Sequence, residues 1–120
     1  MMQKPAIAAV ETQEEIAALC EMAERIWTEH YRTIIGEEQT AYMVEKYQSV
    51  PAVSAQLQHG YTYYFICYEG RRAGYIGIVQ EEDRLFLSKL YIDRAFRGRG
   101  LAKEALGFLR NLCKARGLSC

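Results

Sequence analysis

The sequence predicts a mixed α/β (α+β) fold in which a mainly antiparallel sheet is flanked by helices. Three observations lead to this prediction. Apolar residues recur at helical spacing near the start of the chain, between residues 16 and 27. Three apolar and aromatic segments then follow one another with short polar turns between residues 61 and 92. Finally, a glycine-containing turn joins the last of these segments to an amphipathic helix at residues 100–116.

The first half of the chain reads as one short strand and three helices. Residues 7–10 are apolar and predict the strand. Thr12 and Glu15 form a capping-box pattern, which predicts that the first helix begins there, and its apolar periodicity continues to about His30. We expect residues 31–36 to be a linker. A second helix is predicted over residues 37–48, and Pro51 is expected to begin a third, which ends near residues 59–60.

The second half predicts a three-stranded meander followed by a helix. Strands are expected at residues 61–68, 73–80 and 85–92, with turns at residues 69–72 and 81–83. Gly117 is well suited to end the helix that follows. Residues 118–120 look like the start of another strand, which would make the last helix a crossover connection.

The turn before the last helix has the features of an anion site. The first N–H groups of a helix have no intrahelical acceptor, and the helix dipole places partial positive charge on them. Gly98 and Gly100 remove the Cβ atoms that would keep an anion from the backbone. Arg97, Arg99 and Lys103 add positive charge nearby. We interpret this turn as a pyrophosphate-binding loop.

Three phosphate-binding patterns can be compared with this loop. The P-loop requires Lys directly after its second glycine, but Leu101 follows Gly100. The dinucleotide fingerprint G-x-G-x-x-G places Lys103 where its third glycine belongs. The pattern [Arg/Gln]-x-x-Gly-x-[Gly/Ala] fits Arg97-Gly98-Arg99-Gly100-Leu101-Ala102 at every defined position.

With this hexapeptide after a strand that ends Leu90-Tyr91-Ile92, the sequence resembles the GCN5-related N-acetyltransferase (GNAT) family. The resemblance extends over the order of elements as well. It implies acetyl-CoA as cosubstrate and no metal. It also implies transfer of an acetyl group to a primary amine of a small molecule or peptide, by direct attack of that amine on the thioester.

The resemblance also implies which residues bind the cosubstrate. The loop residues Arg97, Gly98, Arg99, Gly100, Leu101 and Ala102, with Lys103, would bind the pyrophosphate. Leu90, Tyr91 and Ile92 would offer backbone hydrogen bonds to the pantetheine arm and the acetyl carbonyl. Trp27 and Tyr31 are candidates for one wall of the acceptor site, since the first two helices of the family border that site; core packing is the alternative for both.

The resemblance leaves the catalytic residues open. The position of a general-base glutamate in some family members falls near Phe86 here. Glu81, Glu82 and Asp83 lie in the preceding turn, where the alternatives are a base acting through water and a solvated turn. The family continues with a strand, a helix and a hairpin, so we expect a single N-acetyltransferase domain over residues 1–120 that is truncated after the helix following the loop.

Composition restricts the environment and partners we expect. Fifteen basic residues balance fifteen acidic ones, so nothing in the net charge favours a nucleic-acid partner. No apolar run reaches the roughly twenty residues of a membrane span, and the N-terminus lacks a signal-peptide core. Four cysteines without C-x-x-C spacing are typical of thiols in a reducing compartment, so we expect a cytoplasmic protein.

A second hypothesis is a catalytically incomplete domain of the same fold that binds CoA or acts by association. In a chain that stops here, the strand at residues 85–92 would keep an unpaired edge. Exposed edges recruit partners, so this hypothesis predicts a homodimer or an unstable monomer, and no turnover with any amine.

Overall fold

The computed structural model describes residues 5–119, and these form a four-stranded sheet with helices on both faces. The strands are β1 (Ala6–Ala9), β2 (Tyr61–Tyr68), β3 (Arg71–Gln80) and β4 (Leu85–Ile92). The helices are α1 (Gln13–Ile35), α2 (Glu37–Gln48), α3 (Val50–Gln58) and α4 (Leu101–Arg116), and a 3-10 turn spans Arg94–Phe96. The predicted fold class is confirmed.

The sheet has the order β1-β2-β3-β4, and every neighbouring pair is antiparallel. The predicted meander is therefore confirmed. Beyond α4, Ser119 forms a parallel bridge with Arg84, in which the Leu85 amide donates to the Ser119 carbonyl over 2.8 Å. This bridge is the expected start of a further strand, and it makes the connection through α4 a crossover.

The two faces of the sheet carry two separate apolar clusters. On one face, α1 and α3 pack against the rings of Tyr63, Phe65 and Tyr75. On the other face, α4 packs against side chains that include Ile66 and Ile76. β4 contributes to both clusters, because successive side chains of a strand point to opposite faces. Tyr91 joins the α1 side, and Leu90 and Ile92 join the α4 side.

The first helix is longer than predicted, so the expected linker at residues 31–36 is wrong. α1 begins at the Thr12 capping box and continues to Ile35, where Gly36 ends it with φ +88°. Residues 33–35 are β-branched, and Ile34 is 67% exposed, so neither helix propensity nor apolar periodicity marks this segment. The Tyr31 hydroxyl lies 3.2 Å from that of Tyr91 on β4, and this tertiary contact helps to fix the helical turn that precedes the segment.

The remaining boundaries are close to those predicted. α2 and β4 have the predicted ends, α3 begins one residue before Pro51, and Gly117 ends α4 in the left-handed conformation. β3 begins at Arg71, two residues earlier than predicted, because the turn after Tyr68 is short. Across residues 5–119, no helix is both long and apolar enough to span a membrane.

Candidate functional site

The predicted anion loop lies between two buried anchors. The Asp93 carboxylate accepts from the Ala95 amide over 3.3 Å and so caps the 3-10 turn. The turn ends at Phe96, which is buried, and α4 begins at Leu101, which is also buried. Both side chains belong to the cluster on the α4 face. The four residues between them are exposed and are held at both ends.

The backbone amides of residues 98–103 have no acceptor within the described part of the chain. The preceding amide, of Arg97, donates to the Arg94 carbonyl over 3.4 Å. The first amide of the helical pattern that does find an acceptor belongs to Glu104, which donates to the Gly100 carbonyl over 3.1 Å. Six successive donors at a helix N-terminus, where the dipole is positive, are therefore available to an anion.

Both loop glycines have positive φ, +81° at Gly98 and +73° at Gly100. A Cβ at either position would meet no protein atom within 4 Å. The protein itself therefore leaves room for a side chain there, and glycine is favoured by the left-handed backbone. The same open space lies next to the free amides and is accessible to a ligand.

The basic side chains around the loop differ in how they are held. Arg97 donates from Nε to the Ile92 carbonyl over 3.1 Å, which fixes its guanidinium beside the end of β4. Arg99 lies over the ring of Tyr68 at 5.6 Å. Lys103 is exposed on the first turn of α4. Two of the three predicted cations thus have a defined place at the loop.

β4 presents part of its backbone on an open edge. The Asp93 amide donates to the Ala73 carbonyl over 2.7 Å, and Tyr91 pairs with Tyr75 in the same register. Hydrogen-bonded and non-hydrogen-bonded residues alternate along an antiparallel pair, so Leu90 and Ile92 direct their amides and carbonyls away from β3. The amides of Leu90 and Ile92 and the carbonyl of Leu90 are therefore open, whereas the Ile92 carbonyl accepts from Arg97 Nε and Tyr91 faces the α1 side with its ring.

A β-bulge interrupts β4 at Ser88. Gly77 pairs with Lys89 and Ile78 pairs with Leu87, so Ser88 is an extra residue on β4. Bulges bend a strand and redirect side chains, and they are common beside active sites. Here the side chains of Ser88 and Lys89 both approach the Tyr61 ring: Ser88 Oγ lies 3.1 Å from the Tyr61 hydroxyl, and Lys89 Nζ lies 4.7 Å from the ring centroid.

The predicted acceptor-wall residues, Trp27 and Tyr31, contact β4 at Tyr91, on the face of the strand that is turned toward α1. The Tyr31 hydroxyl is 3.2 Å from that of Tyr91, and the Trp27 ring contacts both tyrosine rings. Burial is the main cause that raises the pKa of Tyr91, and its contact with Tyr31 adds to this. The Tyr91 hydroxyl is therefore a neutral hydrogen-bonding group at physiological pH.

Trp27 also begins a buried polar network that the sequence did not reveal. Its Nε1 donates to the Tyr75 hydroxyl over 2.8 Å, and that hydroxyl donates to Gln48 Oε1 over 2.7 Å. Gln48 Nε2 donates to the Tyr63 hydroxyl over 3.1 Å, and Tyr63 donates to Gln56 over 2.6 Å. The network joins α1, α2 and α3 to the sheet.

The structure places no carboxylate on the strand beside the open edge. Phe86, at the position that the resemblance gives to a general base, is 53% exposed and cannot accept a proton. In the acidic turn, Glu81 is paired with Arg84 over 2.8 Å. No group of three or more potential metal ligands occurs within residues 5–119.

A cavity of about 620 Å³ lies elsewhere, between α1, α2 and the start of α3. Four glutamates line it together with Arg32, and none of the predicted cosubstrate residues does. The anion loop is instead an open surface, which is consistent with a long ligand lying along a strand edge.

The sequence model of the Acetyltransferase (GNAT) family matches residues 14–120. The chain belongs to the GNAT family. Solved structures agree with this assignment at the level of the fold. PaiA N-acetyltransferase from Thermoplasma acidophilum, in complex with coenzyme A, superposes with a TM-score of 0.80 at 18% identity, covering 97% of this chain and 76% of that one.

Two further structures have the same GNAT architecture. A GCN5-related N-acetyltransferase from Rhodopseudomonas palustris gives a TM-score of 0.74 at 19% identity, covering 98% of this chain and 70% of that one. AAC(6')-Iy, in complex with the bisubstrate analogue CoA-S-monomethyl-acetylneamine, gives a TM-score of 0.59 at 13% identity. The match covers 97% of this chain and 76% of that one. No curated protein sequence matches the chain. At these identities the likeness establishes the fold of this GNAT chain.

Proposed function

We propose that the protein transfers the acetyl group of acetyl-CoA to a primary amine of a small molecule or peptide. The observation that carries this proposal is the run of six free amides at residues 98–103, at the N-terminus of α4 and beside an open strand edge. Membership of the GNAT family and the coenzyme A bound to the Thermoplasma relative support it.

In this proposal the cosubstrate lies along the loop and β4. The pyrophosphate accepts hydrogen bonds from the amides of residues 98–103, and Arg97, Arg99 and Lys103 add charge. The pantetheine arm follows β4 at Leu90, Tyr91 and Ile92, where the outward amides of Leu90 and Ile92 are free to donate. The thioester then lies near the bulge at Ser88, where a backbone amide can polarise the acetyl carbonyl.

The acceptor reacts as the free amine. Its nitrogen attacks the thioester carbon, a C–N bond forms, and the C–S bond breaks as the thiolate of CoA leaves with the electron pair. The amine proton passes to the thiolate or to water. Because β4 carries no carboxylate base, positioning and carbonyl polarisation account for the catalysis. We expect kcat/KM to rise with pH as the acceptor loses its proton.

The test combines a loop variant with a matched control. CoA should raise the melting temperature of the wild type, and Gly100→Glu should abolish that effect, because it adds a negative side chain beside the free amides. Gly117→Glu is the control, since Gly117 has the same left-handed conformation and open surroundings at the other end of α4. Unchanged stabilisation of Gly100→Glu by CoA would contradict the assignment of this loop.

A second candidate function is a CoA-binding or association domain without turnover. It is favoured by the edge of β4 beyond its bridge to Ser119, where Phe86 and Leu87 are exposed and no strand pairs within residues 5–119. Such edges pair with other chains. Thiol release over a panel of amines, together with the mass of the purified protein in solution, separates the two functions: turnover supports the first, and a dimer without turnover supports the second.

A further inference from the structure

Lys89 is a half-buried cation without a carboxylate partner within the described residues. Its side chain is half-buried on the α1 face of β4, and neither of the two ion pairs within residues 5–119 involves it. Instead, Nζ lies over the rings of Tyr61 at 4.7 Å and Tyr63 at 5.7 Å. A half-buried ammonium that has ring and hydroxyl contacts but no carboxylate partner still attracts an anion, so Lys89 is a candidate for binding one.

The groups around Lys89 can complete an anion site. The ammonium donates to Ser88 Oγ over 3.2 Å, and because it has three N–H groups, at least one remains for another acceptor. Ser88 Oγ in turn lies 3.1 Å from the Tyr61 hydroxyl. If Ser88 donates to Tyr61, the Tyr61 hydroxyl hydrogen is also available. One ammonium and one hydroxyl donor therefore converge beside the bulge.

The position of this cluster relates it to the acceptor. Strand alternation puts Lys89 and Tyr91 on the same face of β4, toward α1. There, Tyr91 meets Tyr31 and Trp27 in an aromatic wall. The cluster thus lies on the face of the strand that is turned away from α4, next to the point where the proposed function places the thioester.

Resting on the proposed function, we propose that Lys89, with Ser88 and Tyr61, binds a carboxylate of the acceptor, so that the enzyme selects amines that also carry a carboxylate group. Tyr31 and Tyr91, which are half-buried and pack on the buried ring of Trp27, would contact an apolar acceptor side chain. Lys89 is a specificity-determining residue in this proposal and takes no part in proton transfer.

The test uses acceptor pairs that differ only in the carboxylate: L-phenylalanine against phenethylamine, and L-leucine against 3-methylbutylamine. For the wild type and Lys89→Met, kcat/KM is measured with each. We expect Lys89→Met to lower kcat/KM for the amino acids by about tenfold or more, and to leave the plain amines within about twofold, because a charge-assisted hydrogen bond is lost only with the former. Comparing variants removes the effect of different amine pKa values.

Two further variants sharpen the test. Lys46→Met is the matched control, because Lys46 also lies over two tyrosine rings, at 5.7 and 5.3 Å, but on exposed α2. Lys46→Met should leave kcat/KM unchanged for both members of each acceptor pair. Lys89→Arg keeps the charge and should retain a preference for the amino acids. An equal loss for both members of each acceptor pair would overturn the proposal and indicate a structural role.

A binding measurement covers the case in which no acceptor of the panel turns over. N-acetyl-L-phenylalanine and N-acetylphenethylamine are titrated by NMR into protein saturated with CoA. Tighter binding of the carboxylate compound to the wild type, lost in Lys89→Met, supports the proposal, and equal binding overturns it. Stabilisation by CoA is measured on the same samples, so failure of the cosubstrate site is seen separately.

Discussion

Arg25 on α1 donates from Nη1 to the carboxylate of Asp93 over 2.7 Å, across 68 positions of sequence. The same carboxylate caps the 3-10 turn that leads into the anion loop. The Asp93 amide is bonded in turn to the Ala73 carbonyl. Asp93 therefore connects α1, β3 and the loop, and Arg25 helps to determine the direction in which the chain leaves β4.

Breaking this ion pair should destabilise the fold modestly. The side chains are 47% and 16% exposed, so solvent screens part of the attraction. We expect Arg25→Met to lower the free energy of unfolding in urea by about 0.5–1 kcal/mol. Arg84→Met, which removes the more exposed pair with Glu81, is the control and should cost less. Equal losses of unfolding free energy in the two variants would show that the Arg25–Asp93 pair contributes no more than an ordinary surface ion pair, although Asp93 also caps the 3-10 turn.

The buried network around Tyr75 predicts a larger effect. Tyr75→Phe removes the partner of Trp27 Nε1 and of Gln48 Oε1 and leaves both groups buried without a hydrogen bond. The free energy of unfolding should fall by about 2–3 kcal/mol. Tyr31→Phe removes one half-exposed hydrogen bond and should cost about 1 kcal/mol or less. Urea denaturation of the two variants measures both losses. A loss in Tyr75→Phe no larger than that in Tyr31→Phe would contradict a stabilising role of the buried network.

Cys20 predicts a loss of stability at alkaline pH. Burial raises the pKa of its thiol from 9.0 to about 11. Because the folded pKa lies above the unfolded one, the contribution is complete below pH 9 and is lost as the pH rises toward 11. We expect the free energy of unfolding to fall across this window, and the slope to be smaller in Cys20→Ala. Identical slopes would place the alkaline loss on other groups, such as Tyr63, whose pKa burial raises to about 12.

Arg97 should contribute to CoA affinity through its charge. Its Nε is bound to the Ile92 carbonyl, so the guanidinium stays beside the loop without ordering on binding. Isothermal titration should show CoA binding weakened about fivefold in Arg97→Met, as expected for a partly screened charge contact. Arg110→Met, which removes an exposed charge farther along α4, should bind as the wild type does. Equal affinities of the two variants would exclude a role for Arg97 in binding.

Much of the fold was predictable because its signals are short in sequence. The Thr12–Glu15 capping box and the aromatic and β-branched composition of the meander strands each act over a few residues. The same is true of the loop, whose glycines and following helix lie within one turn of each other. The end of α1 was not predictable, since residues 31–35 carry no apolar periodicity.

The order of elements, the position of the glycine loop and the family are readable from the amino-acid sequence, because they depend on local backbone preferences and on a contiguous motif. By contrast, the open backbone groups of β4 and the side chains that meet beside the bulge become visible in the folded chain alone. Ser88 and Lys89 approach Tyr61 because β4 gains one residue against β3, and Trp27 reaches Tyr75 across 48 positions. Register and long-range packing are set by the whole core, so no local pattern records them.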